Sequence, residues 1–284
     1  MCRWMAWHGQ PVIIEELLFK SQHGLIEQSL HSRLGAETTN GDGFGVGWYG
    51  TGEGPGVFHS VSPAWANANL RELAAHIESP LFMAHVRATS GSAIQETNCH
   101  PFKHGDWLFV HNGLVNGYDV LRRELMLAVD PSLFAGIQGS TDSEVLFHLA
   151  LTFGLEDDPI GALEQTLGLV ESLAERHGIG AALQASIGVS DGQRLWAVRY
   201  ATVGPARTLF HSADLASAQA VHPASEGLSE GDCLVVSEPF SDLPGAWVEI
   251  PESTALVVHS RGEVEQRPFR PRTPGAALPA AVNG

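Results

Sequence analysis

The sequence has few cysteines, few basic residues and no long apolar run. Only three cysteines, Cys2, Cys99 and Cys233, occur among 284 residues. They are too few for a disulfide framework, and their spacing fits no CxxC zinc pair. The apolar runs fall short of the roughly 18 residues that cross a membrane, and the N-terminus shows no signal-peptide pattern. We therefore expect a cytoplasmic protein.

Basic residues are half as frequent as acidic ones. The 16 Lys and Arg residues and the 32 Asp and Glu residues give a formal net charge of −16. A charge of this sign repels phosphate backbones and anionic lipids, so we expect neither nucleic acid nor a membrane as a partner. A small acidic molecule remains acceptable as a ligand. Apolar residues reach 44%, which is enough for a sizeable core.

Strand and helix patterns come in groups along the chain rather than in strict alternation. Helices are predicted just after Pro11, from a Thr141–Glu144 capping box, and over 159–176. The Asp191-Gly192 pair predicts a hairpin, and the chain from Arg267 onward is expected to be disordered. This grouping favours an α+β fold with antiparallel sheets. Strands are predicted at 44–49, 81–87, 107–111, 185–190, 194–200, 233–237, 245–250 and 254–259.

Alternating glycines precede and occupy the strand predicted at 44–49. Gly41, Gly43, Gly45 and Gly47 could suggest a dinucleotide-binding loop. They lead into a strand instead of a helix and lack the GxGxxG spacing, so a Rossmann fold is rejected.

Cys2 is the first candidate for chemistry. Methionine is normally removed when the next residue is small, which would make Cys2 the N-terminal residue. Its α-amine then has a reference pKa of about 7.7–8.0, close to about 8.5 for a free thiol, so the amine could serve as the base for the thiol. The alternative is a small apolar residue at the start of a strand.

Two predicted strand ends carry further candidates. Arg87, close to Thr89, can hold a carboxylate through its forked guanidinium, with a surface ion pair as the alternative. Asn112 and Gly113 can offer a side-chain amide and an unobstructed backbone N–H to an oxyanion. The alternative there is a hairpin turn, which the Asn-Gly pair favours.

Asp142 lies in the first turn of the capped helix. Its carboxylate could pair with a ligand ammonium group, or it could only be stabilised by the helix dipole. Nearby histidines could suggest a metal centre, but they lack HExxH or HxxEH spacing, so packing is the better interpretation. Cys99 and His100 are neighbours in an extended segment and point to opposite faces, so we expect no thiol–imidazole pair. The histidines concerned are His85, His100, His104 and His111.

In combination and in this order, these motifs resemble those of a known family. The Cys2 opening, the Ala84–Thr89 strand end, the His111–Gly113 segment and the Ser140–Glu144 helix start are similar to class II glutamine amidotransferase domains, which are N-terminal nucleophile hydrolases. The stretch Asn40-Gly41-Asp42-Gly43-Phe44-Gly45-Val46-Gly47-Trp48 resembles the stand-alone branch of that family. This branch contains γ-glutamyl amidohydrolases of ergothioneine synthesis and glutathione breakdown.

The resemblance implies a four-layer αββα fold with two stacked antiparallel sheets. It spans residues 2–260, with 261–284 expected to be a largely disordered extension. It implies hydrolysis of the γ-amide of glutamine or of a small γ-glutamyl compound through a thioester on Cys2, with no cofactor and no metal. The expected catalytic residues are Cys2, Asn112 and Gly113, and the expected substrate-binding residues are Arg87 for the α-carboxylate, Asp142 for the α-ammonium group, Thr89 and His111.

The sequence departs from the family pattern at three points. One residue fewer separates Arg87 from Thr89, which leaves the role of Thr89 open. Arg3 follows the nucleophile where the large synthases have glycine, and the chain after residue 260 is too short for a synthase domain. Two alternatives therefore stay open: a glutaminase subunit that delivers ammonia to a separate synthase partner, and a catalytically silent γ-glutamyl-binding protein. Candidates for contact with the leaving group are Trp4, Trp7 and Trp48.

Overall fold

The computed structural model describes residues 2–34, 39–89, 91–213, 231–259 and 263–275. Within these ranges, the strands form two sheets in which every neighbouring pair is antiparallel. The strands are β1 (Arg3–Ile13), β2 (Phe44–Trp48), β3 (Gly56–Ser60), β4 (Glu78–Val86), β5 (Phe102–His104), β6 (Trp107–Val115), β7 (Leu183–Ser190), β8 (Leu195–Ala201), β9 (Phe210–Ser212), β10 (Cys233–Val236), β11 (Trp247–Glu249), β12 (Thr254–Val258) and β13 (Val264–Pro268). The helices are α1 (Ile14–Leu18), α2 (Leu25–Leu30), α3 (Ala68–His76), α4 (Tyr118–Leu127), α5 (Asp142–Thr152) and α6 (Pro159–Arg176).

The two sheets are stacked between two helical layers. Sheet A has the strand order β11-β9-β10-β1-β4-β2-β3, and sheet B has the order β13-β12-β8-β7-β6-β5. One apolar cluster joins α1, α2 and α3 to the outer face of sheet A, and another joins α4, α5 and α6 to the outer face of sheet B. A third apolar cluster fills the space between the sheets. The expected αββα architecture is therefore confirmed.

Both faces of β1 are buried. Trp4 and Ala6 belong to the cluster between the sheets, whereas Met5 and Trp7 belong to the cluster under the outer helices. Because side chains alternate along a strand, a central strand of a four-layer fold needs apolar residues at consecutive positions. This explains why the N-terminal segment is continuously apolar without an alternating pattern.

The predicted start of the helix at Thr141 is confirmed, with half of the capping box. The Thr141 hydroxyl accepts a hydrogen bond from the Glu144 N–H at 3.3 Å. The Glu144 carboxylate does not return to Thr141. It accepts instead from the N–H groups of Gln138 and Gly139, at 2.8 and 2.7 Å, and so holds the loop that enters the helix.

The short helix predicted just after Pro11 is present, but it begins only at Ile14. The segment that begins at Pro11 stays in β1 up to Ile13, because the pairing of β1 with β4 is irregular between His8 and Val12 and accommodates the proline there. The alternative interpretation of Asn112-Gly113 as a hairpin turn is wrong, because the pair lies within β6 and is paired with β7. The chain turns at the next Asn-Gly pair, where Gly117 has φ of 67°.

From Arg267 to Gly275 the chain is ordered, contrary to the expectation of disorder for this part of the tail. Strand β13 pairs with β12, which satisfies its backbone groups. Phe269 is buried in the cluster beneath α6, and the Arg272 N–H donates to the Glu164 carbonyl at 3.1 Å. Residues 276–284 of the expected extension lie outside the described residues.

The alternating glycines allow β2 to lie close to the segment before β5. A Cβ on Gly45 would collide with the carbonyl oxygen of His100, and one on Gly43 would lie 2.8 Å from the Cys99 Sγ. Their spacing therefore serves close packing, in agreement with the rejection of a dinucleotide-binding loop. Across the described ranges, no helix combines the length and the apolar character needed to cross a membrane.

Candidate active site

Three of the expected site residues extend the rows of side chains that face the gap between the sheets. The inward-facing positions in the middle of β1, β4 and β6 are apolar. Every second residue of a strand faces the same side, and at one end of the sheets the inward-facing positions of these three strands are occupied by Cys2, Arg87 and Asn112. Arg3 pairs with Val86, so Cys2 and Arg87 stand side by side at the end of sheet A.

A tryptophan connects this end of sheet A with the opposite sheet. Asn112 pairs with Ser186 in the ladder between β6 and β7. The Trp4 indole N–H donates to the Ser186 hydroxyl at 3.0 Å and lies 3.2 Å from the Ser186 carbonyl oxygen. Because Trp4 is two residues from Cys2, this contact ties the strand that carries the thiol to the strand beside Asn112.

The Cys2 thiol is half-buried and donates to the Ala88 carbonyl oxygen at 3.7 Å. Burial raises the pKa of this thiol above its usual value, and the positive charge of Arg87 acts in the opposite direction. The thiol is therefore mainly protonated at neutral pH, and a base is needed before it can act as a nucleophile.

The Arg87 guanidinium is buried and lies against hydroxyl groups of the loop that follows it. Its Nη2 donates to the Ser92 hydroxyl at 2.6 Å and lies 3.4 Å from the Thr89 hydroxyl. A side chain only 3% exposed is not a surface ion pair, so that alternative is wrong. Guanidinium and hydroxyl donors together can bind a carboxylate.

Thr89 is held in this cluster despite the shortened motif. Its N–H donates to the Asp42 carboxylate at 2.9 Å, and its hydroxyl donates to the Ser92 carbonyl at 2.8 Å. Sequence reasoning missed both Asp42 and Ser92. Asp42 stands in the glycine-rich stretch that carries the family resemblance, whereas no sequence signal marks Ser92.

Gly113 must be glycine because other atoms occupy the space of a side chain. A Cβ there would collide with the Gln184 carbonyl oxygen and with the His111 ring. Asn112, next to it, is buried and faces the gap between the sheets. A side-chain amide and an unobstructed backbone thus lie at the same end as Cys2.

Asp142 is the first residue of α5 and connects this helix with the end of β6. Its Oδ2 accepts from the Val115 N–H at 2.8 Å, and its Oδ1 accepts from the Ser143 N–H at 2.7 Å. It also lines a cavity of about 440 Å³ together with Ser92, Leu114 and Arg122, among others. A carboxylate has further lone pairs, so Asp142 can accept from a ligand in addition to stabilising the helix start.

His111 lies on the other side of β6, away from the gap. Its Nδ1 is 2.8 Å from the Ser143 hydroxyl, which in turn donates to Asp142 at 3.1 Å. Burial lowers the pKa of His111, so the ring is neutral. The structure brings His111 next to Asp142 through Ser143, and it does not bring the ring to the face that carries Cys2.

Comparison with known proteins agrees with this arrangement. The model of the family described as "Glutamine amidotransferases class-II" matches residues 24–277. The chain belongs to the class II glutamine amidotransferases. It is an enzyme of this type, built on the fold of the N-terminal nucleophile hydrolases.

Two relatives of this amidotransferase differ in the share of their length that aligns with this chain. The probable glutamine amidotransferase DUG3 of Saccharomyces cerevisiae is 41% identical over 160 residues, which is 53% of this chain and 45% of the yeast protein. The chain thus matches less than half the length of that relative. The gamma-glutamyl-hercynylcysteine sulfoxide hydrolase of Mycolicibacterium smegmatis is 28% identical over 254 residues, 89% of this chain and 93% of the hydrolase.

Solved structures give the same family and fold. A glutamine aminotransferase class-II domain protein from Silicibacter pomeroyi has a TM-score of 0.73 and 32% identity, covering 95% of this chain and 100% of that one. The glutamine PRPP amidotransferase of B. subtilis has a TM-score of 0.63 and 17% identity, covering 96% of this chain and 50% of that one. This second likeness shows the fold alone.

The buried histidines of the amidotransferase are packed against one another. The rings of His85 and His100 are tilted by 43° with centroids 4.2 Å apart, and His100 also contacts Phe102. Burial lowers the pKa of His85 to about 3, so this ring stays neutral. Among the described residues, no group of three or more His, Cys, Asp or Glu side chains could hold a metal ion.

The remaining candidates are Cys99 and three tryptophans. Cys99 donates weakly to the Ser60 and Gln95 carbonyl groups, at 3.6 and 3.7 Å, and does not pair with His100. Trp4 and Trp7 are fully buried in two different cores, and Trp48 packs against the outer helices. The expectation that these tryptophans contact the leaving group is therefore wrong for Trp4 and Trp7, because no part of either ring is accessible.

Proposed function

We propose that this amidotransferase hydrolyses the γ-amide bond of glutamine or of a small γ-glutamyl compound, with Cys2 as the nucleophile. The observation that carries the proposal is that Cys2 and Arg87 stand side by side at the end of sheet A, while Trp4, two residues from Cys2, donates to Ser186, the ladder partner of Asn112 on sheet B. These groups supply a nucleophile, a carboxylate-binding cation and donors for an oxyanion at one end of the molecule.

The charges near Cys2 complement a γ-glutamyl group. Its α-carboxylate suits Arg87 with the hydroxyls of Thr89 and Ser92. Its α-ammonium group suits Asp142, which His111 supports through Ser143 without touching the substrate. One cation and one anion bind the far end of the substrate, so the γ-carbonyl is left to face the thiol.

Acylation uses the α-amine of Cys2, which is free once Met1 is removed. Met1 lies outside the described residues. The amine accepts the thiol proton and Sγ attacks the γ-carbonyl carbon, while the Asn112 amide and the Gly113 N–H stabilise the oxyanion. The C–N bond breaks as the amine returns the proton to the leaving nitrogen, and a γ-glutamyl thioester remains.

Deacylation reuses the same groups. Water gives a proton to the α-amine and attacks the thioester carbonyl, with the oxyanion again held by Asn112 and Gly113. The C–S bond breaks, Cys2 regains the proton, and glutamate leaves. The raised pKa of the half-buried Cys2 thiol supports this scheme, because a protonated thiol needs the amine as its base.

The relatives support the substrate class. The mycobacterial relative is named as a hydrolase of a γ-glutamyl compound, and this chain covers 93% of it. The yeast relative is named as a probable glutamine amidotransferase. A γ-glutamyl amide is the feature that both kinds of substrate share.

The test is intact-protein mass spectrometry before and after incubation with a diazoketone analogue of glutamine, which alkylates a thiol in a glutamine-shaped pocket. We expect Met1 to be absent and one adduct to form on Cys2. Cys99 and Cys233 are internal controls, because burial raises their pKa values to about 11 and about 12 and neither residue carries a free α-amine that could accept the thiol proton. A retained Met1 without an adduct would contradict the proposal and favour a silent binding protein.

A further inference from the structure

We propose that Glu238 is a positioning residue for the Cys2 nucleophile and that it acts through Arg3. The inference rests on the proposed function only in taking Cys2 as the nucleophile. It begins from the pairing of β1 with β10, in which Met5 lies opposite Val236. Because the two strands are antiparallel, Arg3, two residues before Met5, comes opposite Glu238, two residues after Val236. Both side chains lie on the outer face of sheet A, opposite the face that carries Cys2.

The Glu238 carboxylate and the Arg3 guanidinium form a buried ion pair. Arg3 Nε donates to Glu238 Oε2 at 3.3 Å, and the two side chains are 3% and 2% exposed. From the same guanidinium, Nη1 donates to the carbonyl oxygen of Cys2 at 2.9 Å. Arg3 therefore joins the carboxylate on one face of the sheet to the backbone of the nucleophile.

The carboxylate is itself held on several sides. His23 Nε2 donates to Oε1 at 2.6 Å, and the backbone N–H groups of Arg33 and Leu34 donate at 2.7 and 3.1 Å. Gln28 donates to the Glu238 carbonyl oxygen at 3.0 Å. A carboxylate with this many donors has no freedom to rotate, so it fixes Arg3 in one position.

Holding the Cys2 carbonyl matters because Cys2 lies at a chain end. Once Met1 is removed, the residue is joined to the protein through that carbonyl alone, and strand β1 begins only at Arg3. A shift of about 1 Å at a reacting atom can lower a rate by about a hundredfold. The hydrogen bond from Arg3 limits such a shift on the outer face.

The two variants also change the charge near the α-amine and the thiol in opposite directions. Glu238→Gln removes a negative charge, which lowers the pKa of both groups of Cys2, and Arg3→Met removes a positive charge, which raises it. Arg87 and Asp142 also act on the Cys2 thiol, and neither variant changes these two residues.

The experiment compares wild type, Glu238→Gln, Arg3→Met, the double variant and Glu164→Gln. The control Glu164 also accepts a backbone N–H and faces an arginine, but it lies on α6 against Arg270 and Arg272. Two quantities are measured for each folded protein: the rate of Cys2 alkylation by iodoacetamide against pH, read by mass, and kcat and KM for a γ-glutamyl amide.

We expect the alkylation midpoint of Glu238→Gln to move to lower pH and that of Arg3→Met to higher pH, with the double variant close to wild type. We expect kcat to fall about 10- to 100-fold in both single variants, with KM changed less than about threefold and Glu164→Gln unaffected. Midpoints that stay with wild type in both single variants would overturn the proposal. If Glu238→Gln does not fold, the Arg3→Met midpoint alone decides the matter.

The two readouts separate this inference from the proposed function. Alkylation requires no substrate, so it tests the positioning of Cys2 even if no γ-glutamyl compound is hydrolysed. Absence of turnover in wild type with opposite midpoint shifts in the two variants would contradict the proposed function and support the role of Glu238.

Discussion

Along the same strands, the side chains between the two sheets are apolar in the middle and polar at one end. In the middle, Trp4, Met83 and Val110 pack in a closed core. At the end, the same rows continue as Cys2, Arg87 and Asn112. Strand alternation alone aims both sets at the gap, so the difference between core and candidate site lies in residue type and in distance from the end of the sheet.

The comparison teaches that the core and the site share one scaffold but should respond differently to substitution. Replacing a residue in the middle removes buried contacts and lowers stability. Replacing a residue at the end removes a functional group that the scaffold does not need. The following variants test this separation, beginning with the largest expected effect.

The Cys2→Ala variant should lose turnover of γ-glutamyl amides by about 10⁴-fold or more, because the nucleophile is removed. Its melting temperature should match wild type, since the half-buried thiol makes only one weak hydrogen bond to the part of the chain that the structure describes. The matched control is Cys233→Ala in the closed core, which should melt at a lower temperature and keep its activity. Equal activity of Cys2→Ala and wild type would contradict the mechanism.

The Asn112→Ala variant should lower kcat by about 10²- to 10³-fold, as expected when one oxyanion donor is lost. Val110→Ala, two residues earlier in the same row, should keep kcat per folded molecule and lose stability instead. Steady-state kinetics and thermal melts of both variants make the comparison. A normal kcat in Asn112→Ala would remove Asn112 from the proposed oxyanion hole.

Met83→Ala tests the middle of the row that ends at Arg87. The buried thioether leaves a cavity, so unfolding in urea should show a loss of about 2–5 kcal/mol. Below the denaturation midpoint, kcat/KM should stay within about twofold of wild type. A tenfold loss of activity in the folded variant would show that core and site are not separable.

Thr89→Val should have the smallest effect, since it removes one hydroxyl beside Arg87. The expected change is a rise in KM of about 3- to 10-fold for a γ-glutamyl amide, which matches the net value of one hydrogen bond. Thr208→Val, whose hydroxyl donates to the Ser237 carbonyl, is a control for loss of a threonine hydroxyl in another loop, just before β9. An unchanged KM in Thr89→Val would leave Thr89 with a role in loop structure only.

Two Asn-Gly pairs in this chain show where prediction from local sequence fails. Asn112-Gly113 and Asn116-Gly117 are identical dipeptides, and turn propensity favours a turn at both. Only the second pair turns. The first is held in β6 by its ladder with β7, a contact with residues about 70 positions away that no local pattern contains.

The sequence by itself determined the helix start at Thr141, helix 159–176, the hairpin around Asp191-Gly192 and the family, because capping, periodicity and motif order are local or linear properties. Only the tertiary structure decided that the Phe269 side chain is buried under α6 and that the Ser92 hydroxyl accepts from Arg87. It also decided that His111 faces α5 and that Glu238 forms an ion pair with Arg3. The physical reason is that these contacts depend on strand register and on which face of a strand a side chain takes, and both are set by packing between distant segments.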